Sequence, residues 1–228
     1  MRHNLIEQEN TCGSQERDIA IYGAGGLGRE IACLLQRINF AKKTWNLIGF
    51  FDDKISIGTD IGYGKILGGK KELNTWPKIL AVVVAIGNAE VVKEIIQSIS
   101  NPLISYPNII APDLICLDRN TFNIGKGNII CSRCLISCNV SIGDFNIFNG
   151  YIGVGHDAQI GSYNVFMPAV NISGGVVIGD CNFFGVQSVV LQYLNVGNNV
   201  RLGANSVLIR KTEDGNLYMG NPAVKVKF

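Results

Sequence analysis

The chain has 228 residues, 47% of them apolar and 17% charged, with a formal net charge of +2. This composition supports a sizeable core and excludes a disordered chain. It contains no basic block able to grip a phosphate backbone, so no nucleic-acid partner is expected.

No apolar run is long enough to span a bilayer, and the stretch from Met1 to Asp18 lacks the apolar core of a secretory signal. The expectation is a soluble cytoplasmic protein with no membrane partner.

Residues 1–17 read as a mobile lead-in. From Asp18 the pattern is strand, glycine turn, helix. Apolar Ile19 to Tyr22 precede Gly23-Ala24-Gly25-Gly26-Leu27-Gly28, and Ile31, Leu34, Leu35 and Ile38 then recur at helical spacing. Glycines in a G-x-G-x-x-G pattern let a phosphate approach the backbone N–H groups at a helix N-terminus. Gly23, Gly25, Gly26 and Leu27 are therefore candidate substrate contacts.

A second strand, Leu47 to Phe51, ends in Asp52-Asp53. Acids at that place either hold a ribose hydroxyl or solvate a strand end. The run from Leu80 to Ile86 reads as a parallel strand buried on both faces. Gly87 and Asn88 follow it, at the substrate end of such a sheet, and then a helix from Ala89 to Ile99. The sum is an α/β half-Rossmann domain over residues 18–107, sized for a mononucleotide and too short for the six-stranded dinucleotide fold. NAD is not expected as a cofactor, and an NAD-dependent oxidoreductase is the weaker reading.

Pro102 and Pro107 close this region, and a second domain is expected over residues 108–228. There a period of six takes over. Ile124, Ile130, Ile136, Ile142, Phe148, Val154, Ile160, Phe166, Ile172, Ile178, Phe184, Val190, Val196, Leu202 and Leu208 are all large and apolar. No helix or flat strand has that period; an all-β parallel β-helix does. Gly125, Gly143, Gly161, Gly179 and Gly197 recur every eighteen residues, so one coil is three hexads. Glycine tolerates unusual backbone angles and is expected here at a repeated corner. The tail from Leu217 to Ala223 is the candidate cap.

Of the seven cysteines, Cys131, Cys134 and Cys138 cluster. They sit inside the hexad frame without a nearby His, so small buried residues are expected there and no metal site.

His156 is the one histidine within the solenoid. It lies two residues after Val154, in a slot filled elsewhere by Lys126, Ser132, Asp144, Ser162, Asp180 and Asn198, so it is expected to face outward. Asp157 adjoins it, and a carboxylate beside an imidazole fixes its tautomer. One coil on lies Gly174, followed by Gly175, expected about 4.8 Å away. A base beside a bare backbone N–H is the outline of an acyl-transfer site.

The hexads, Gly155-His156-Asp157-Ala158-Gln159-Ile160-Gly161, Ile172-Ser173-Gly174-Gly175-Val176 and the ending Gly220-Asn221-Pro222-Ala223 resemble the left-handed β-helix acyltransferases. With the glycine-rich half-Rossmann domain and Ile86-Gly87-Asn88, the chain is similar to the bacillosamine and perosamine N-acetyltransferases and the sialic acid O-acetyltransferase group. The resemblance implies a homotrimer with sites between subunits, and acetyl-CoA as co-substrate near Gly174, Gly175, Gly220, Asn221 and Pro222. It implies a nucleotide-linked sugar on the first domain, His156 as general base and the Gly174 N–H as oxyanion donor.

Ala158 stands where the family usually has Cys, Val165 where many members have a second His, and Ile110 near where many have another. The acceptor is expected to be the amine of a UDP-linked 4-amino-4,6-dideoxy sugar, or alternatively a hydroxyl of sialic acid or another surface-polysaccharide sugar. A non-catalytic scaffold, or a metal protein like the carbonic anhydrases, is the remaining reading; too few histidines support the latter.

Overall fold

The computed structural model describes residues 16–226. The expected lead-in lies almost wholly outside them. The described chain divides into two compact units that part between Pro112 and Asp113.

The first unit is a five-stranded parallel sheet. Its strands are β1 (Arg17–Tyr22), β2 (Trp45–Phe51), β3 (Ile66–Gly68), β4 (Leu80–Val84) and β5 (Ile104–Ser105), in the order β3-β2-β1-β4-β5. Three helices connect them: α1 (Gly26–Ala41), α2 (Lys70–Asn74) and α3 (Ala89–Ser98). The strand order reverses between β1 and β4, which is where open α/β sheets bind ligands, outside the strands' C-terminal ends. Ile19, Ile21, Phe50, Leu80 and Val82 are fully buried, so the central strands are apolar on both faces. Sequence patterning had no hold on β3, α2 or β5, because elements of two to five residues are too short to carry a period.

The second unit is a β-solenoid of two-residue strands stacked into parallel ladders on three faces. Val154, for example, pairs with Ile136 on one side and Ile172 on the other. Every apolar step of the six-residue frame is buried except Ile124, at its start, which is half-buried. Phe148, Phe166 and Phe184 stack at 4.7 Å between successive ring centroids.

Beside the aromatic stack runs a column of fully buried asparagines: Asn128, Asn146, Asn164 and Asn182. Each side chain accepts from the backbone N–H one coil on, as in Asn164 N to Asn146 Oδ1 at 2.8 Å; the first three donate to a backbone carbonyl, as in Asn164 Nδ2 to Gly179 O at 2.9 Å, and Asn182 Nδ2 donates to Asn164 Oδ1 at 2.9 Å. A buried amide is tolerable only when both ends are satisfied, and here both are.

The glycine repeat has a different cause from the one expected. Gly125, Gly143, Gly161, Gly179 and Gly197 do not have positive φ. The left-handed corners are taken by other residues, including Asn139 (φ 57°), Phe145 (φ 54°), Asp157 (φ 60°) and Tyr193 (φ 60°). The repeated glycines are needed for close stacking instead. A Cβ at Gly143 would lie 2.7 Å from the carbonyl oxygen of Gly161, and one at Gly161 equally close to that of Gly179.

The tail forms a hairpin. Leu217–Gly220 extends one ladder by pairing Leu217 with Arg201, and Ala223–Val226 folds back antiparallel on it.

Candidate active site

His156 and Asp157 occupy a corner between two solenoid faces, and both side chains are 53% exposed. His156 Nδ1 lies 2.7 Å from Asp157 Oδ2. The Asp157 carboxyl is held below its usual range, first by a hydrogen bond from Asn139 and then by His156. An ionised carboxylate can only accept, so Nδ1 carries the proton and Nε2 presents a lone pair.

Gly174 lies directly over this ring. A Cβ built on it would be 2.5 Å from His156 Nε2 and 2.6 Å from Cε1. The neighbouring Gly175 N–H donates to the carbonyl of His156 at 2.7 Å, while Gly174 contributes its carbonyl to Tyr193 N at 3.0 Å. Gly155 is bare for a related reason: a Cβ there would sit 2.5 Å from Gly174 N. Two facing glycines thus keep the surface around Nε2 and the Gly174 backbone open. Gly175 is left-handed (φ 66°), and the ring of Tyr193 lies where its side chain would be.

The C-terminal Gly220, Asn221 and Pro222 lie at the exposed tip of the hairpin, with Gly220 N donating to Ser206 Oγ at 3.0 Å and a cis bond between Asn221 and Pro222. Their ladder runs along a different face from the one that leads into His156.

In the first unit, the glycine turn follows β1. Gly23 has φ 104°, and a Cβ there would lie 2.8 Å from the carbonyl of Ala85, beyond β4. Gly28 packs on the carbonyl of Gly23, where a Cβ would collide. Gly25 and Gly26 face open space. Helix α1 starts at Gly26, and its N-cap Gly25 supplies no side-chain cap, so the first-turn N–H groups, including those of Gly26 and Leu27, are left for a ligand or solvent.

Asp52 is tied into this turn. It accepts from Ala24 N at 3.0 Å and from Lys54 N at 2.9 Å. Asp53 accepts from the Tyr22 hydroxyl at 2.6 Å and from Lys70 N at 2.8 Å. Burial, then the bond to Asp53, pushes the Tyr22 phenol well above its ordinary pKa, so it stays a donor. Gly87 faces open space, and the Asn88 side chain caps α3 by accepting from Val91 N at 3.1 Å.

Among the described residues no group of three or more metal-ligating side chains comes together. Of the three clustered cysteines only Cys134 is buried as expected, and burial pushes its thiol up to about 11, so it remains a neutral packing group; Cys131 is half-buried and Cys138 is exposed. Nor is any described helix long and apolar enough to cross a membrane.

Residues 18–99 match the family model described as the PglD N-terminal domain. Among solved structures, the acetyltransferase domain of PglB from Neisseria gonorrhoeae is 25% identical, with a TM-score of 0.83 over 92% of this chain and 100% of that one. WeeI from Acinetobacter baumannii is 26% identical, with a TM-score of 0.83 over 92% and 100% of the two chains. The chain is an acyltransferase with the left-handed β-helix fold of the sugar acetyltransferases.

The acyltransferase shares that fold with PerB of Caulobacter crescentus as well, solved with CoA and GDP-perosamine, at 23% identity, a TM-score of 0.82 and coverage of 92% and 97%. No curated protein sequence matches it. Two features of the acyltransferase escaped sequence reasoning: the Asn139 contact to Asp157, and the buried asparagine column. Both were available from the eighteen-residue step, since 157 minus 18 is 139 and the asparagines recur at that same interval.

Proposed function

We propose that the protein transfers an acetyl group from acetyl-CoA to the amine of a nucleotide-linked amino sugar, of the UDP-4-amino-4,6-dideoxy type. The observation that carries this reading is the His156–Asp157 pair, with Nε2 left free beneath a bare Gly174.

In this mechanism Nε2 takes a proton from the acceptor amine as its nitrogen attacks the thioester carbonyl. The C–N bond forms, and the charge developing on the carbonyl oxygen is met by the Gly174 N–H. The C–S bond then breaks, and the CoA thiolate leaves and takes the proton back from the imidazolium. Asp157 holds the imidazole in the required tautomer and stabilises its charged form.

Gly175 and the Gly220-Asn221-Pro222 tip are assigned to the CoA chain. The sugar's nucleotide is assigned to the glycine turn of Gly23, Gly25, Gly26 and Leu27, with Gly87 and Asn88 across the crevice. Asp52 shapes that turn from behind through Ala24 N, while Asp53 is tied to Tyr22 and Lys70. The working form is read as a cytoplasmic homotrimer, testable by its mass in solution.

The experiment is thiol release from acetyl-CoA with UDP-, GDP-, dTDP- and CMP-linked amino sugars. One of these should be acetylated, and His156→Ala should lower kcat by about 10²–10⁴-fold. Activity within a few-fold of wild type would remove His156 as the base. An acetyl group stable to mild alkali marks the amide; a labile one marks the ester and an O-acetyltransferase.

A further inference from the structure

The corner that carries Asp157 belongs to a column of residues one coil apart: Thr121, Asn139, Asp157, Gly175 and Tyr193. Asn139 Nδ2 donates to Asp157 Oδ1 at 2.6 Å, while the other carboxylate oxygen faces His156 Nδ1 at 2.7 Å. Asn139 is itself fixed from below. Its backbone N–H donates to Thr121 Oγ1 at 2.8 Å, and the Thr121 hydroxyl donates to Asp118 Oδ2 at 3.0 Å.

We propose that Asn139 is a positioning residue for acetyl transfer, holding one oxygen of Asp157 so that the other fixes the His156 tautomer and aims Nε2 at the acceptor. This rests on the function proposed above.

Three observations lead here. First, His156 and Asp157 are both 53% exposed, so packing alone does not lock their rotamers. An exposed carboxylate held only by an imidazole can rotate away and take the ring with it. A second, charge-assisted bond to the opposite oxygen removes that freedom.

Second, the corner does not itself demand asparagine. Its left-handed backbone (φ 57°) also suits glycine, and the same column holds Gly175 and Tyr193 at like angles. An aspartate there would set two carboxylates against each other. Third, the amide is neutral and has no proton to give up at working pH, so it can brace the carboxylate without joining the proton transfer.

The test is Asn139→Gly, which keeps the left-handed corner and removes the carboxamide. We expect kcat to fall about three- to tenfold, the modest size of a partly exposed charge-assisted bond. KM for acetyl-CoA and for the sugar should be unchanged, as should the melting temperature.

The deciding measurement is the same substitution in an Asp157→Gly background. A residue that acts only through Asp157 loses its effect there, so the kcat ratio should approach about one. Asn139→Asp should be slower than Asn139→Gly near neutrality. Its added negative charge favours the imidazolium, so the acid limb of kcat/KM should move to higher pH.

Equal loss in both backgrounds would overturn the proposal, as would full activity of Asn139→Gly in an enzyme that Asp157→Gly cripples. In either case the base assignment would stand. A fully active His156→Ala enzyme would instead remove the base, and this role with it.

Discussion

The two units keep their glycines bare against different kinds of neighbour. In the sheet unit, Gly23 is pressed against Ala85, just past β4, a strand that arrives only after two other strands have been laid down. In the solenoid, Gly174 is pressed against His156, and the eighteen-residue coil fixes that contact in advance. The first contact depends on long-range topology; the second depends on register alone. A solenoid is close to a one-dimensional stack, in which each repeat answers only to its neighbours. A change there should act locally, whereas a change in the sheet should be felt through the whole unit.

The largest expected effect tests the local rule. Gly174→Ala is compatible with its backbone, which is not left-handed, but the new methyl would lie 2.5 Å from His156 Nε2. The imidazole is exposed and can swing aside, so stability should hardly change while the proposed base leaves its place. Displacing a catalytic group by about 1 Å costs roughly 10²-fold. We expect a fall in kcat of about that size, with a melting temperature within a few degrees of wild type. A large loss of stability would show that the corner is less independent than a one-dimensional stack requires.

The next effect is on stability and tests the same rule inside the core. Asn164 is fully buried and accepts from both the N and the Nδ2 of Asn182 at 2.9 Å. Asn164→Ala leaves those donors and the carbonyl of Gly179 without their partner. At about 1–3 kcal/mol for each buried group left unmade, with partial relaxation, the loss should be about 3 kcal/mol. Denaturant unfolding followed by solenoid and sheet probes should place that loss in the solenoid transition. A uniform shift of a single transition would mean that the two units unfold together.

These two cases also show why the solenoid was so legible. The six-residue frame places its buried residues, and the eighteen-residue coil by itself puts Gly174 beside His156. The same arithmetic would have found Asn139 under Asp157, but an exposed polar residue at a corner carries no signal unless its neighbour one coil away is asked about. The cause of the glycine repeat is not legible in the sequence, which reports that a residue is small, not whether conformation or crowding demands it. Crowding depends on the separation of stacked backbones, which only the fold supplies. In the sheet unit, β1, β2 and β4 announced themselves as apolar runs, whereas β3 and β5 exist only as edges completed by their partners. The sequence leaves Asp52 and Asp53 as ribose ligands or strand-end acids, and nothing local reveals the bonds they make to Ala24, Lys54, Tyr22 and Lys70.

The smallest expected effect lies with Asp52 and bears on the sheet side of the comparison. Its carboxylate joins the glycine turn after β1 to the end of β2 through Ala24 N and Lys54 N. Asp52→Asn keeps one acceptor oxygen and replaces the other with a donor, so one of the two backbone N–H groups must face an amide nitrogen. The site is partly solvated, so the cost should be about 1 kcal/mol, a few degrees in melting temperature. If long-range contacts hold the sheet's binding turn, this small loss should still reach the substrate. KM for the nucleotide sugar should rise a few-fold, with KM for acetyl-CoA and kcat unchanged. A loss of stability with no change in sugar KM would place the substrate elsewhere than on this turn, and would leave the β1–β4 crevice without its proposed ligand.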